Sequence, residues 1–87
     1  MTYSIAFSEE ADSDFGHLLR SDRRLAARIL AKVESLADSP REGKPLVGNH
    51  KGEFSPRVGN YRIVYEPDST RHIVYILTIK HRKHVYG

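Results

Sequence analysis

Residues 71–80 read RHIVYILTIK. In an extended chain successive side chains point to opposite faces, so Ile73, Tyr75, Leu77 and Ile79 fall on one side and Val74 and Ile76 on the other. A segment apolar on both sides is expected in the middle of a sheet, covered above and below. Directly after it comes IKHRKHVYG, residues 79–87, in which five of nine residues are Lys, Arg or His and none is acidic. A buried strand that runs straight into the densest positive charge of the chain predicts a rigid mount for an anion-binding end.

Working upstream, GEFSPRV (52–58) and YRIVYE (61–66) flank Gly59-Asn60, a two-residue hairpin turn signal. Pro56 cannot donate to a strand ladder, which predicts an edge strand for the first of the pair. PDST (67–70) reads as the turn into the central strand. At the other end of the chain TYSIAF (2–7) alternates as a short strand, and Ser8 reads as a helix N-cap ahead of Glu9 and Glu10. Ala11, Phe15, Leu18 and Leu19 follow at helical spacing. Ser21 or Asp22 restarts a helix whose apolar face is Leu25, Ile29, Val33 and Leu36, and DSPREGKP (38–45) ends it. The order β-α-α-β-β-β predicts one α+β domain over residues 1–87, a helical hairpin packed on a mostly antiparallel four-stranded sheet.

At 87 residues the chain has one core. It contains no Cys, which excludes disulfides and thiolate zinc sites. No targeting segment is visible and no apolar run approaches a membrane span, so a soluble, cytoplasmic protein is expected. Charge is divided unevenly. Residues 1–40 hold five Lys/Arg against seven Asp/Glu, a net −2, whereas residues 41–87 hold nine against four, a net +5. A polyanion would meet the second half.

The basic residues converge in this scheme. Arg57 and Arg62 flank the hairpin turn, and Lys80 and Arg82 are expected to continue the side of Val74, Ile76 and Thr78 on the last strand. Arg62 and Arg82 would then share a face, with Lys44, Lys51 and Lys83 around it and Tyr86 at its rim. RNA backbone cleavage suits such a surface. It proceeds without metal or cofactor when a 2′-hydroxyl attacks the adjacent phosphate. Cations then stabilise the transition state, for which the planar guanidinium fork is well matched. One group must take the 2′-OH proton and one must protonate the 5′-oxygen; His81 and His84 are the candidates, with Glu53 third. A tyrosine can stack on a base.

GKPL (43–46), the G-x-F-S-x-R stretch from Gly52 to Arg57, YR-x-x-Y from Tyr61 to Tyr65, and HR-x-x-x-Y from His81 to Tyr86 occur in the order seen in the RelE/ParE superfamily of bacterial toxins. Together they most resemble its RelE-type messenger-RNA endonucleases. That resemblance implies a toxin of a toxin–antitoxin pair that enters the ribosomal A site and cuts the exposed codon. It implies a transition-state role for Arg62, contact of Arg82 with the scissile phosphate, base stacking by Tyr86, and backbone binding by Arg57. It also implies a cognate RelB-like antitoxin, with DNA contact made through that partner. Where some members carry lysines before the turn, this chain has Glu53 and Ser55. Two other functions stay open: a ParE-like inhibitor of DNA gyrase, and an inactive binding module on the same fold.

Overall fold

The computed structural model describes residues 2–40 and 53–83, and the backbone of 84 and 85. The chain runs β1 (Ser4–Phe7), α1 (Glu9–Ser21), α2 (Arg23–Asp38), β2 (Arg57–Val58), β3 (Tyr61–Asp68), β4 (Ile73–His81) and α3 (Arg82–Val85). One sheet forms, in the order β1-β4-β3-β2. The doubly apolar segment is therefore internal, with β1 parallel on one side and β3 antiparallel on the other. The α+β architecture read from the sequence is the one that forms.

The helical hairpin is made by two polar side chains. Ser8 Oγ accepts from the Ala11 N–H at 3.0 Å and donates to the Leu77 carbonyl at 2.7 Å, so one hydroxyl both caps α1 and ties it to β4. Asp22 is the whole connection between the helices. Its N–H donates to the Leu18 carbonyl, closing α1, and its carboxylate accepts from the Leu25 N–H at 3.1 Å, opening α2. Ile29, Val33 and Leu36 are buried, as their spacing predicts, and each contributes about 1.5–3 kcal/mol of burial. Leu19 departs from expectation. It lies 45% exposed, because the buried stripe of α1 runs through Ala11 and Leu18.

Val58 pairs with Tyr61, which closes the hairpin around Gly59 and Asn60. Of these two residues Gly59 alone takes a positive φ, +60°, matching the turn class in which the first central residue alone is left-handed. The strand before the turn is shorter than predicted. Phe54 bridges Tyr65 in the same register that pairs Arg57 with Arg62, but the ladder is interrupted at Ser55-Pro56, where Pro56 brings no N–H. Its carbonyl still accepts from the Ile63 N–H at 3.0 Å. The next turn falls two residues later than PDST indicates. Pro67 pairs with Val74 inside the ladder, and the Asp68 carboxylate accepts from the N–H groups of Thr70 and Arg71.

The main correction concerns β4. Thr78 pairs with Val64 while Ile76 pairs with the next residue of β3, Tyr65, so Leu77 is an extra residue in the ladder. Such a bulge reverses the phase of alternation. Val74, Ile76 and Ile79 consequently lie on one face with Ile63 and Tyr65, packed against the helices. Thr78 and Lys80 lie on the other face with Val64 and Arg62, not with Val74 and Ile76 as uninterrupted alternation would have it. At the centre of the core the Phe54 and Tyr65 rings stack at 5.4 Å and 17°.

Candidate nucleic-acid interface

Register draws the cations into a line. Arg57 on β2 stands opposite Arg62 on β3, and Arg62 stands opposite Lys80 on β4. All three begin on the sheet face away from Tyr65 and Ile76. Directly opposed like charges destabilise a sheet unless something neutralises them. Arg57 is exposed and Arg62 half-buried, with Arg62 Nη1 donating to the Ser55 carbonyl at 3.2 Å. That bond anchors the guanidinium beside the floor formed by two buried neighbours, Ser55 and Val64. Ser55 Oγ, on a residue only 3% exposed, has no hydrogen-bond partner among the described residues.

Arg82 is not on the last strand. β4 ends at His81 and Arg82 opens α3, its N–H donating to the Asn60 carbonyl at 2.8 Å. The bond carries the β3–β4 ladder one step further and fixes the Arg82 backbone against the hairpin turn. Its side chain is exposed, as is that of Lys83. Three arginines, 57, 62 and 82, are thus held around one two-residue turn. His81 points elsewhere. It pairs with Tyr61, its ring meets the Tyr61 ring edge-on at 5.6 Å, and both residues border clefts of about 540 and 380 Å³ that open toward α1 and α2. His81 Nδ1 accepts from the Lys83 N–H at 3.3 Å. The fold therefore separates His81 from the Arg62 face.

Lys80 begins opposite Arg62, but its ammonium is held at the β4 edge by Asp14 Oδ1 at 2.7 Å and Glu10 Oε2 at 3.2 Å. Asp14 Oδ2 also accepts from the Ile79 N–H at 3.0 Å. The hydrogen bond to Asp14, with that to Glu10 behind it, raises the Lys80 pKa above its ordinary value. A lysine raised on folding contributes stability that is fully present below its unfolded pKa of 10.5 and is lost as pH rises through the higher folded value. Lys80→Met should therefore cost about 1 kcal/mol at neutral pH. In urea titrations of both proteins, that difference should shrink above pH 10.5. A difference that grows with alkalinity would show that the ammonium is not what stabilises this edge.

Arg57, Arg62 and Arg82 are brought together, Lys80 is engaged by carboxylates, and Lys83 sits exposed on α3. Lys44, Lys51 and Tyr86 lie outside the described residues, as does the side chain of His84. Asp14 is the polar group that sequence reading passed over. A signal for Asp14 was present: it sits three residues after Ala11 and four before Leu18, an acid on the apolar stripe of α1.

A family model described as the ParE toxin of type II toxin–antitoxin systems matches residues 5–86. The toxin RelG of Mycobacterium tuberculosis is 37% identical over 99% of this chain and 98% of its own length. The toxin RelE of the same organism is 36% identical over 97% of this chain and 86% of its own length. Among solved structures, a chain of the toxin–antitoxin complex RelBE2 from M. tuberculosis superposes with a TM-score of 0.82 at 33% identity, covering 94% of this chain and all of that one. With the motifs, the strand order and near full-length identity in agreement, this chain belongs to the RelE/ParE family of type II toxin–antitoxin toxins.

Proposed function

We propose that the protein is a ribosome-dependent messenger-RNA endonuclease that cuts the codon in the A site and so inhibits translation. The observation that carries this is that Arg57 and Arg62 oppose one another across the β2–β3 ladder while the Arg82 backbone is bonded to Asn60 in its turn. A dianionic phosphorane is the kind of group that relieves such repulsion. The 2′-oxygen attacks phosphorus, the bond to the 5′-oxygen breaks, and a 2′,3′-cyclic phosphate and a 5′-hydroxyl result. Arg62 stabilises the charge gained by the equatorial oxygens. Arg82 holds the scissile phosphate, Arg57 holds the backbone beside it, and Lys83, Lys44 and Lys51 extend the phosphate track. Tyr86 stacks on the exposed base.

Proton transfer needs a group on the arginine side. Continuing the alternation of Arg57 and Ser55 puts Glu53 there, so the register favours Glu53 over His81 as acceptor of the 2′-OH proton. His84, beyond the end of β4, is the remaining candidate for protonating the 5′-oxygen. The relative solved as a RelBE2 complex supports a cognate RelB-like antitoxin as the restraining partner, an arrangement suited to a cytoplasmic protein; no helix among the described residues is long and apolar enough to cross a membrane.

The test is primer extension on a translated messenger RNA after brief induction, wild type beside Arg82→Ala. Cuts in register with codons in the wild type, absent from the variant, are expected. Growth arrest without cuts in either protein would replace this reading with gyrase inhibition, which the ParE description of the matching family model favours. Neither arrest nor cuts would leave a binding module.

A further inference from the structure

β1 stops at Phe7, opposite Ile76, whereas β4 continues five residues further, to His81. From Leu77 onward no strand among the described residues lies on the β1-side edge of β4. An exposed row of backbone groups there would let the strand end fray. Side chains at the start of α1 take the place of that strand. Ser8 N–H donates to the Ile76 carbonyl, Ser8 Oγ donates to the Leu77 carbonyl, and Asp14 Oδ2 accepts from the Ile79 N–H. Asp14 Oδ1 then takes Lys80 Nζ. A carboxylate 11% exposed, using both oxygens on consecutive residues of one strand end, is built to fix that end.

We propose that Asp14 is a positioning residue for Arg82. Asp14 holds Ile79 and Lys80, Arg82 follows two residues later, and the opposite edge is held by the Arg82 N–H on the Asn60 carbonyl. The strand end is thereby gripped on both sides just before the arginine that the proposed reaction needs. The bulge at Leu77 turns Ile79 inward beside Ile63, three residues past the last β1 pair at Ile76, where its N–H meets Asp14 of α1. The consequence for activity rests on the nuclease reading; the positioning itself does not.

Hydrogen exchange of backbone amides on the purified protein tests the positioning directly. In Asp14→Ala, exchange of Ile79 through Lys83 should accelerate at least about tenfold, with the amides of α2 and β3 unchanged. Asp14→Asn keeps an acceptor for the Ile79 N–H and should return most of that protection. Unaltered exchange at 79–83, or acceleration throughout the domain, would overturn the proposal. If the wild type cuts RNA, Asp14→Ala should lower the single-turnover rate roughly 10- to 100-fold. That loss should vanish when Arg82 is already alanine; losses that multiply fully would overturn the claim that Asp14 acts through Arg82. If the wild type does not cut RNA, the nuclease reading fails and the exchange result still decides the role of Asp14.

Discussion

Arg62→Ala is expected to lower the single-turnover rate of codon cleavage by about 10²–10³-fold while leaving ribosome binding within a few-fold of wild type. Arg62 is the middle residue of the cationic line, half-buried and oriented by its bond to the Ser55 carbonyl. A guanidinium so held needs no reorganisation when charge develops on phosphorus, and that preorganisation is what makes such groups valuable in the transition state. In the proposed reaction exposed Arg57 and Arg82 contribute to ground-state phosphate contact as well, so their loss should raise the half-saturating ribosome concentration too. Arg62→Lys keeps a charge but not the fork, and should recover no more than about tenfold. Losing the bond to Ser55 should cost only about 1 kcal/mol of stability, so the melting transition must be followed beside the rate. An Arg62→Ala protein that cleaves within tenfold of wild type would remove Arg62 from the reacting centre.

Tyr65→Ala is expected to cost about 3–5 kcal/mol, which for a domain of this length is a large share of a total of about 4–13 kcal/mol. Tyr65 is fully buried, stacks on Phe54, and pairs with Ile76 beside the bulge. Its ring adds the Phe54 stack to the backbone bonds that hold the interrupted edge segment on β3, so a void there weakens both. Tyr65→Phe keeps the stack and should cost no more than about 1–2 kcal/mol. Urea denaturation followed by circular dichroism separates the two. Equal losses would mean that the hydroxyl, and not the ring packing, carries the effect. Because Arg57 and Arg62 are mounted on β2 and β3, Tyr65→Ala should also lower activity in proportion to the unfolded fraction.

Element order and element type followed from local chemistry. The Ser8 cap, the Asp22 joint, the apolar spacing of α2 and the Gly59-Asn60 turn are each decided within four or five residues, and each forms as expected. The edge position of β2 followed from the missing N–H of Pro56, and the central position of β4 from its two apolar sides. Arg57 and Arg62 could be placed opposite one another because a two-residue turn fixes the register on either side of it.

Beyond that turn, alternation fails as a guide, because it assumes an unbroken ladder. The bulge at Leu77 inserts one residue and changes which side every later residue takes, and nothing in ILTIKH marks it. Beyond it, Asp14 of α1 takes the edge of β4, a contact between residues 65 and 66 positions apart in the chain. Only long-range contacts place Lys80 on Asp14 and His81 on Tyr61. The sequence by itself determined the order of the two long helices and four strands and where positive charge accumulates, since both depend on neighbours along the chain, but not the short α3. Tertiary structure alone decided which of those charges share a surface, since that depends on the phase of a strand set by a helix far away in sequence.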